Sequence, residues 1–106
     1  MEDDLWPRVQ RLRRWLDTHA NPELAGDVRL WRVLKISEEV GEVAEAMHGA
    51  MGANPRKGAS HTWDDVHTEL CDVVVTSMMA LAACTPDAAA LLDARLQHLI
   101  DRVHAA

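Results

Sequence analysis

A chain of 106 residues has room for one hydrophobic core, and a single domain over 1–106 is expected. Hydrophobic residues make up 48% and charged residues 26%, a globular balance; an aromatic content of 4%, all Trp, with five Gly and four Pro, favours helices built on Ala, Leu, Val and Met. A formal charge of -6 argues against a nucleic-acid backbone binder, no segment has the pattern of a signal peptide, and no run approaches the roughly 18 apolar residues of a membrane span; a cytoplasmic protein without a membrane or nucleic-acid partner is expected.

The first helix is predicted from about Asp4 to Thr18, with Leu5, Val9, Leu12 and Leu16 as its apolar stripe and Pro7 in the tolerant first turn. Arg8, Arg11, Arg13 and Arg14 read as its solvated face. Asn21-Pro22 and Gly26 mark a connection. A second helix, capped by Asp27, runs to about Met51 before Gly52 and Pro55 stop it. Its Val33, Ile36, Val40, Val43, Met47 and Ala50 alternate spacings of three and four, the pattern of a bundle seam, and Gly41 permits close backbone approach.

Residues 52–63 form an irregular stretch containing Asn54-Pro55-Arg56-Lys57-Gly58. A third helix starts between Thr62 and Asp65 and ends at Cys84, before Thr85-Pro86. The fourth, capped by Asp87 or Thr85, carries Ala90, Leu91, Ala94, Leu96, Leu99, Ile100 and Val103 to about His104. The chain therefore reads as all-α and four-helix-bundle-like. Apolar residues on more than one face of the third helix exceed what a small core covers, so a homodimer or homotetramer is expected to complete the bundle. Cys71 and Cys84 on one helix stand about 20 Å apart, beyond disulfide reach, and read as reduced thiols.

Five carboxylates interrupt these core helices: Glu38, Glu39 and Glu42 on the second, Glu69 and Asp72 on the third. Like charges three or four residues apart repel by roughly 0.2–0.5 kcal/mol on a solvated face. The penalty grows to several kcal/mol beside a core, and Asp72 lies among Leu70, Cys71, Val73, Val74 and Val75. A hard, oxygen-seeking cation, Mg2+ or Mn2+, resolves the conflict. With the seam centred near Ile36, Val40 and Val43, Glu39 falls about 60° and Glu42 about 120° from its centre, both at the core border. Asp65, Thr68, Glu69, Asp72 and Thr76 form a polar stripe on the third helix. If the two helices pack antiparallel, the acidic stripes meet over one cleft.

The pattern Glu-Glu-x-x-Glu followed by Glu-x-x-Asp, within a stretch from about Lys35 to Met79, resembles the MazG-like family of all-α nucleoside triphosphate pyrophosphohydrolases. The resemblance implies helical dimers or tetramers that bind magnesium and hydrolyse (d)NTP to (d)NMP and diphosphate in nucleotide-pool housecleaning. It assigns Glu39, Glu42, Glu69 and Asp72 as metal ligands and gives Glu38, with Glu39, a catalytic role in completing the site or orienting water. The chemistry is compatible with the residues: a polyanion needs charge neutralisation and a positioned water, and there is no Walker-type phosphate loop. The alternatives are a nucleotide- and metal-binding regulatory module with little or no turnover, and a purely structural helical interaction protein.

Secondary candidates surround this motif. Lys35, one turn before Glu39, would touch phosphate or balance a carboxylate. Arg56 and Lys57 would clamp the outer phosphates, or merely decorate a solvated turn. Trp31 and Trp63 would stack on a base, or pack at helix starts. His67 and Cys71, with His61, are too sparse a set for zinc and read as a surface histidine beside a packed thiol.

Overall fold

The computed structural model describes residues 4–20 and 26–105. All described regular elements are helices: α1 (Leu5–His19), α2 (Val28–Ala50), α3 (Trp63–Cys84) and α4 (Ala88–His104). The all-α expectation holds, with helix ends within about a residue of those read from the sequence. The Asn21-Pro22 connection lies outside the described residues.

Local chemistry accounts for the ends. Asp27 accepts the backbone N–H of Arg29 at 3.0 Å and caps α2. At the start of α3, Thr62 Oγ1 accepts the Asp65 N–H while Asp65 Oδ2 accepts the Thr62 N–H, a reciprocal capping box. Asp87 occupies the position before α4 without a side-chain cap; the Thr85 hydroxyl accepts its N–H instead.

Helices α2 and α3 form an antiparallel hairpin packed along its length. Its turn is self-bonded: Asn54 Oδ1 accepts the N–H groups of Arg56 and Lys57, the Asn54 carbonyl accepts that of Gly58, and Gly52 and Gly58 take the positive φ angles of 63° and 62° that the reversal requires. Gly49, in the last turn of α2, is buried against the loop, and a Cβ there would clash with the His61 ring and with Ser60 Oγ. Gly49→Ala is therefore expected to destabilise by about 1–2 kcal/mol, overpacking outweighing the gain in helix propensity, as measured by thermal melts.

The inward face of α2 differs from the predicted seam. Glu39, Ala46 and Gly49 are buried, whereas Val33 and Val40 are about half exposed. The small Ala46 and Gly49 admit α3 closely, and docking on that side turns the helix by roughly a quarter turn from the predicted centre. Gly41, expected at a close approach, has nothing within 4 Å of its Cβ position. Thus Leu30, Val33 and Val40 form an uncovered stripe on α2.

Helix α1 lies across α3, where Val9, Met78 and Met79 form the core cluster, flanked by Trp6, Leu16 and Val75. Arg32 of α2 pairs with Asp17 of α1, and Asp17 also accepts from Arg13. Helix α4 touches α3 only at its start; of its residues only Ala88 is buried, and Leu91, Leu92, Leu96, Leu99, Ile100 and Val103 are all exposed. The radius of gyration is 17.0 Å, against about 13 Å for a compact domain of this length. Accessible surface amounts to 8095 Å2, against about 5,900 Å2 for a monomer of 11.8 kDa.

By length and composition α3 could cross a membrane, with a mean hydropathy of 1.3 over its best 18-residue window. This qualifies the sequence reading. In the fold it is the central helix, packed by α1 and α2, and it carries Glu69 and Asp72. Cys71 and Cys84 are both free thiols on this helix.

Candidate metal centre

Antiparallel packing brings the two acidic segments together. One carboxylate oxygen from each of Glu39, Glu69 and Asp72 lies within 4.8 Å of the other two. Oxygens sharing one magnesium at 2.0–2.1 Å stand about 2.9 Å apart when adjacent and about 4.1 Å when opposite, so the trio needs only a small contraction to hold one. Glu39 is 9% exposed, Glu69 half-buried and Asp72 exposed, leaving a face open to solvent or ligand.

Two features test whether the residues fit a cation. Glu69 Oε2 is buried with no hydrogen-bond partner, an orphaned acceptor that a hard cation would satisfy. Glu39 has its pKa pushed up, chiefly by burial and then by repulsion from Glu42, with Lys35 opposing. Both are the marks of negative charge only partly balanced, Lys35 being the one cation paired with Glu39 among the described residues, and the donors are all carboxylate oxygens, the set hard divalent ions prefer.

The raised Glu39 pKa sets a pH dependence. Above that pKa the folded state carries a disfavoured charge; between it and the ordinary 4.5 the folded state binds more protons than the unfolded chain, so lowering pH through this window adds stability. In EDTA, the difference in melting temperature between the parent and Glu39→Gln should shrink as pH falls through the window. A pH-independent difference would contradict the assignment.

Of the remaining predicted residues, some line one of two hollows and Glu42 and Trp63 line neither. Lys35 bridges the acidic segment, its Nζ 3.1 Å from Glu38 and 3.7 Å from Glu39, and the Glu38 hydrogen bond is the main reason its pKa is raised. Glu38 is exposed, and Glu42 is half-buried beside Glu39 but outside the trio. Trp31, Lys35, Glu38 and Glu39 share the wall of a groove of about 580 Å3 between the end of α1 and α2, floored by Thr76 and Met79 of α3. Arg56 and Lys57 line a separate hollow of about 790 Å3 under the hairpin turn, with Glu45, His48 and His61. Of its α2 residues, Gly41, Ala44, Glu45 and His48 lie roughly 140–240° around the helix from Glu39, and Gly49, about 80° from it, lies roughly 15 Å farther along the helix, so within one chain this hollow is separate from the trio. Trp63, at the first position of α3, is exposed and lines neither hollow. His67 pairs with Asp64 at 3.7 Å, and no described metal-like group includes it or Cys71.

Asp17 and Arg32 also line the groove beside the trio, and sequence reasoning passed over both. They are 15 residues apart on different helices, so only a prediction of how α1 crosses α2 would have paired them. No family model, no curated protein and no solved structure matches the chain.

Proposed function

We propose that the protein is a magnesium-dependent nucleoside triphosphate pyrophosphohydrolase of the MazG-like type, cytoplasmic and homo-oligomeric, with manganese as a possible substitute. The observation that carries the reading is the convergence of Glu39, Glu69 and Asp72 from two helices around an orphaned carboxylate oxygen. Glu42, adjoining Glu39, supplies further negative charge to the same ion. Magnesium held there would neutralise the phosphates and lower the pKa of a bound water. In the reaction, water would attack the α-phosphorus, diphosphate would leave, and a proton would pass to a base; Glu38, exposed at the groove and outside the trio, is the carboxylate we assign to orienting that water. Lys35, shared between Glu38 and Glu39, would supply positive charge to the same phosphates.

The test is diphosphate release from a panel of canonical, deoxy and modified nucleoside triphosphates with magnesium, manganese or EDTA. Metal-dependent release that falls at least about 100-fold in Glu39→Ala is expected, with helical content unchanged. No release across the panel, together with metal-induced stabilisation, would replace the enzyme by a nucleotide- and metal-binding regulatory module.

A further inference from the structure

We infer that the groove between α1 and α2 is a heterocycle-binding subsite in which Asp17 and Arg32 read a lactam edge, a ring N–H beside a carbonyl. The inference rests on the nucleotide reading of the carboxylate trio and names the part of the ligand that reading leaves open. The groove begins at Glu38 and Glu39 and runs past Trp31 to Leu16 and Ala20. Its volume of about 580 Å3 is within the range of small-molecule sites, and its wall combines a flat aromatic ring and aliphatic surface with a few polar groups.

The polar groups form an incomplete network. Asp17 Oδ1 accepts from Arg32 Nη2, and Asp17 Oδ2 accepts from Arg13 Nη1 at 3.0 Å. Each carboxylate oxygen thus keeps a second lone pair. Arg32 directs one N–H to Asp17, while its buried Nε has no acceptor. That Nε is closed to solvent, and the donors left for a ligand in the groove are the remaining Nη hydrogens of Arg32, which no described hydrogen bond uses. An anionic acceptor beside a guanidinium donor complements a ring N–H next to a carbonyl, the edge presented by uracil and guanine. Arg13 neutralises the second oxygen of Asp17 and its Nε is held by Gln10 at 2.8 Å, so the carboxylate is braced from the α1 side.

The experiment measures equilibrium binding of non-hydrolysable α,β-methylene triphosphates to the full chain by tryptophan fluorescence and calorimetry. The ligands are the uridine analogue, its N3-methyl derivative and the base-free ribose analogue. The parent protein is expected to bind the uridine form at least about ten-fold more tightly than the N3-methyl form, since a site built around hydrogen bonds rejects ligands that cannot make them. Asp17→Asn and Arg32→Gln should each bring that ratio toward one while changing affinity for the base-free analogue less than about two-fold. Equal binding of the two uridine forms by the parent would overturn the inference without recourse to any variant. A preference that survives both substitutions would overturn it as well. Failure of diphosphate release with the binding preference intact would remove the enzyme reading and leave the subsite standing.

Discussion

Addition of magnesium or manganese should raise the melting temperature of the protein, and Glu39→Gln should abolish the rise while leaving the metal-free chain at least as stable as the parent. The expectation follows from where the charge sits. Glu39 is 9% exposed, its pKa is raised by burial and by Glu42, and Lys35 offsets this only in part across 3.7 Å. Neutralising it removes a disfavoured buried charge, so the metal-free variant loses little and can gain. Occupancy by a cation at 100 times its dissociation constant would contribute about 2.7 kcal/mol, which for a chain of this size moves the melting temperature by about 10 °C or more. Asp72→Asn should blunt the response similarly, whereas Glu38→Gln, on an exposed side chain outside the trio, should retain most of it. A rise of undiminished size in Glu39→Gln would place the cation elsewhere.

The protein should sediment as a dimer or larger, and Val40→Glu should raise the dissociation constant at least about 100-fold or prevent stable folding. The accessible surface exceeds that of a compact monomer by about 2,200 Å2 per chain, within the amount an obligate homo-oligomer buries on each subunit. The exposed apolar side chains include the α2 stripe of Leu30, Val33 and Val40 and nearly all of those on α4, with Leu70 and Val74 exposed on α3 and Leu5, Leu12 and Trp15 on α1. A second copy of this chain supplies the same two apolar surfaces, so an isologous pair can cover both. A carboxylate on the α2 stripe would have to be desolvated without a partner, a penalty of several kcal/mol. Sedimentation velocity and small-angle scattering provide the check: a stable monomer with a radius of gyration near 17 Å would remove the need for a partner.

Helix existence and ends were legible because periodicity and capping are local. The Thr62/Asp65 box and the Asp27 cap depend on neighbours within three residues and can be read directly from the chain. The meeting of Glu39, Glu69 and Asp72 was also legible, since it required only that α2 and α3 pack antiparallel. The inward face of α2 was not. Valines at 33 and 40 outweigh Ala46 and Gly49 in a hydrophobicity pattern, yet the small residues decide how near another helix can come. Arg56 and Lys57 follow a similar logic: position between the acidic helices suggested proximity to the trio, but the connection folds against the C-terminal end of α2, and its cations line a hollow that shares no residue with the groove beside Glu39. The Asp17–Arg32 pair depends on one helix crossing another and leaves no local trace.

The uneven attachment of the helices carries a kinetic consequence. The α2–α3 hairpin is joined by the self-bonded connection 51–62 and contains most of the tertiary packing, so its contacts span modest loop lengths and should form early and fast. Helix α4 gains little by folding onto its own chain. Its ordering then waits on collision with another molecule, so the last step of refolding should slow on dilution while the first does not. A newly made chain would thus hold a formed acidic hairpin before it acquires its final stability, with lifetime set by how often it meets its own kind.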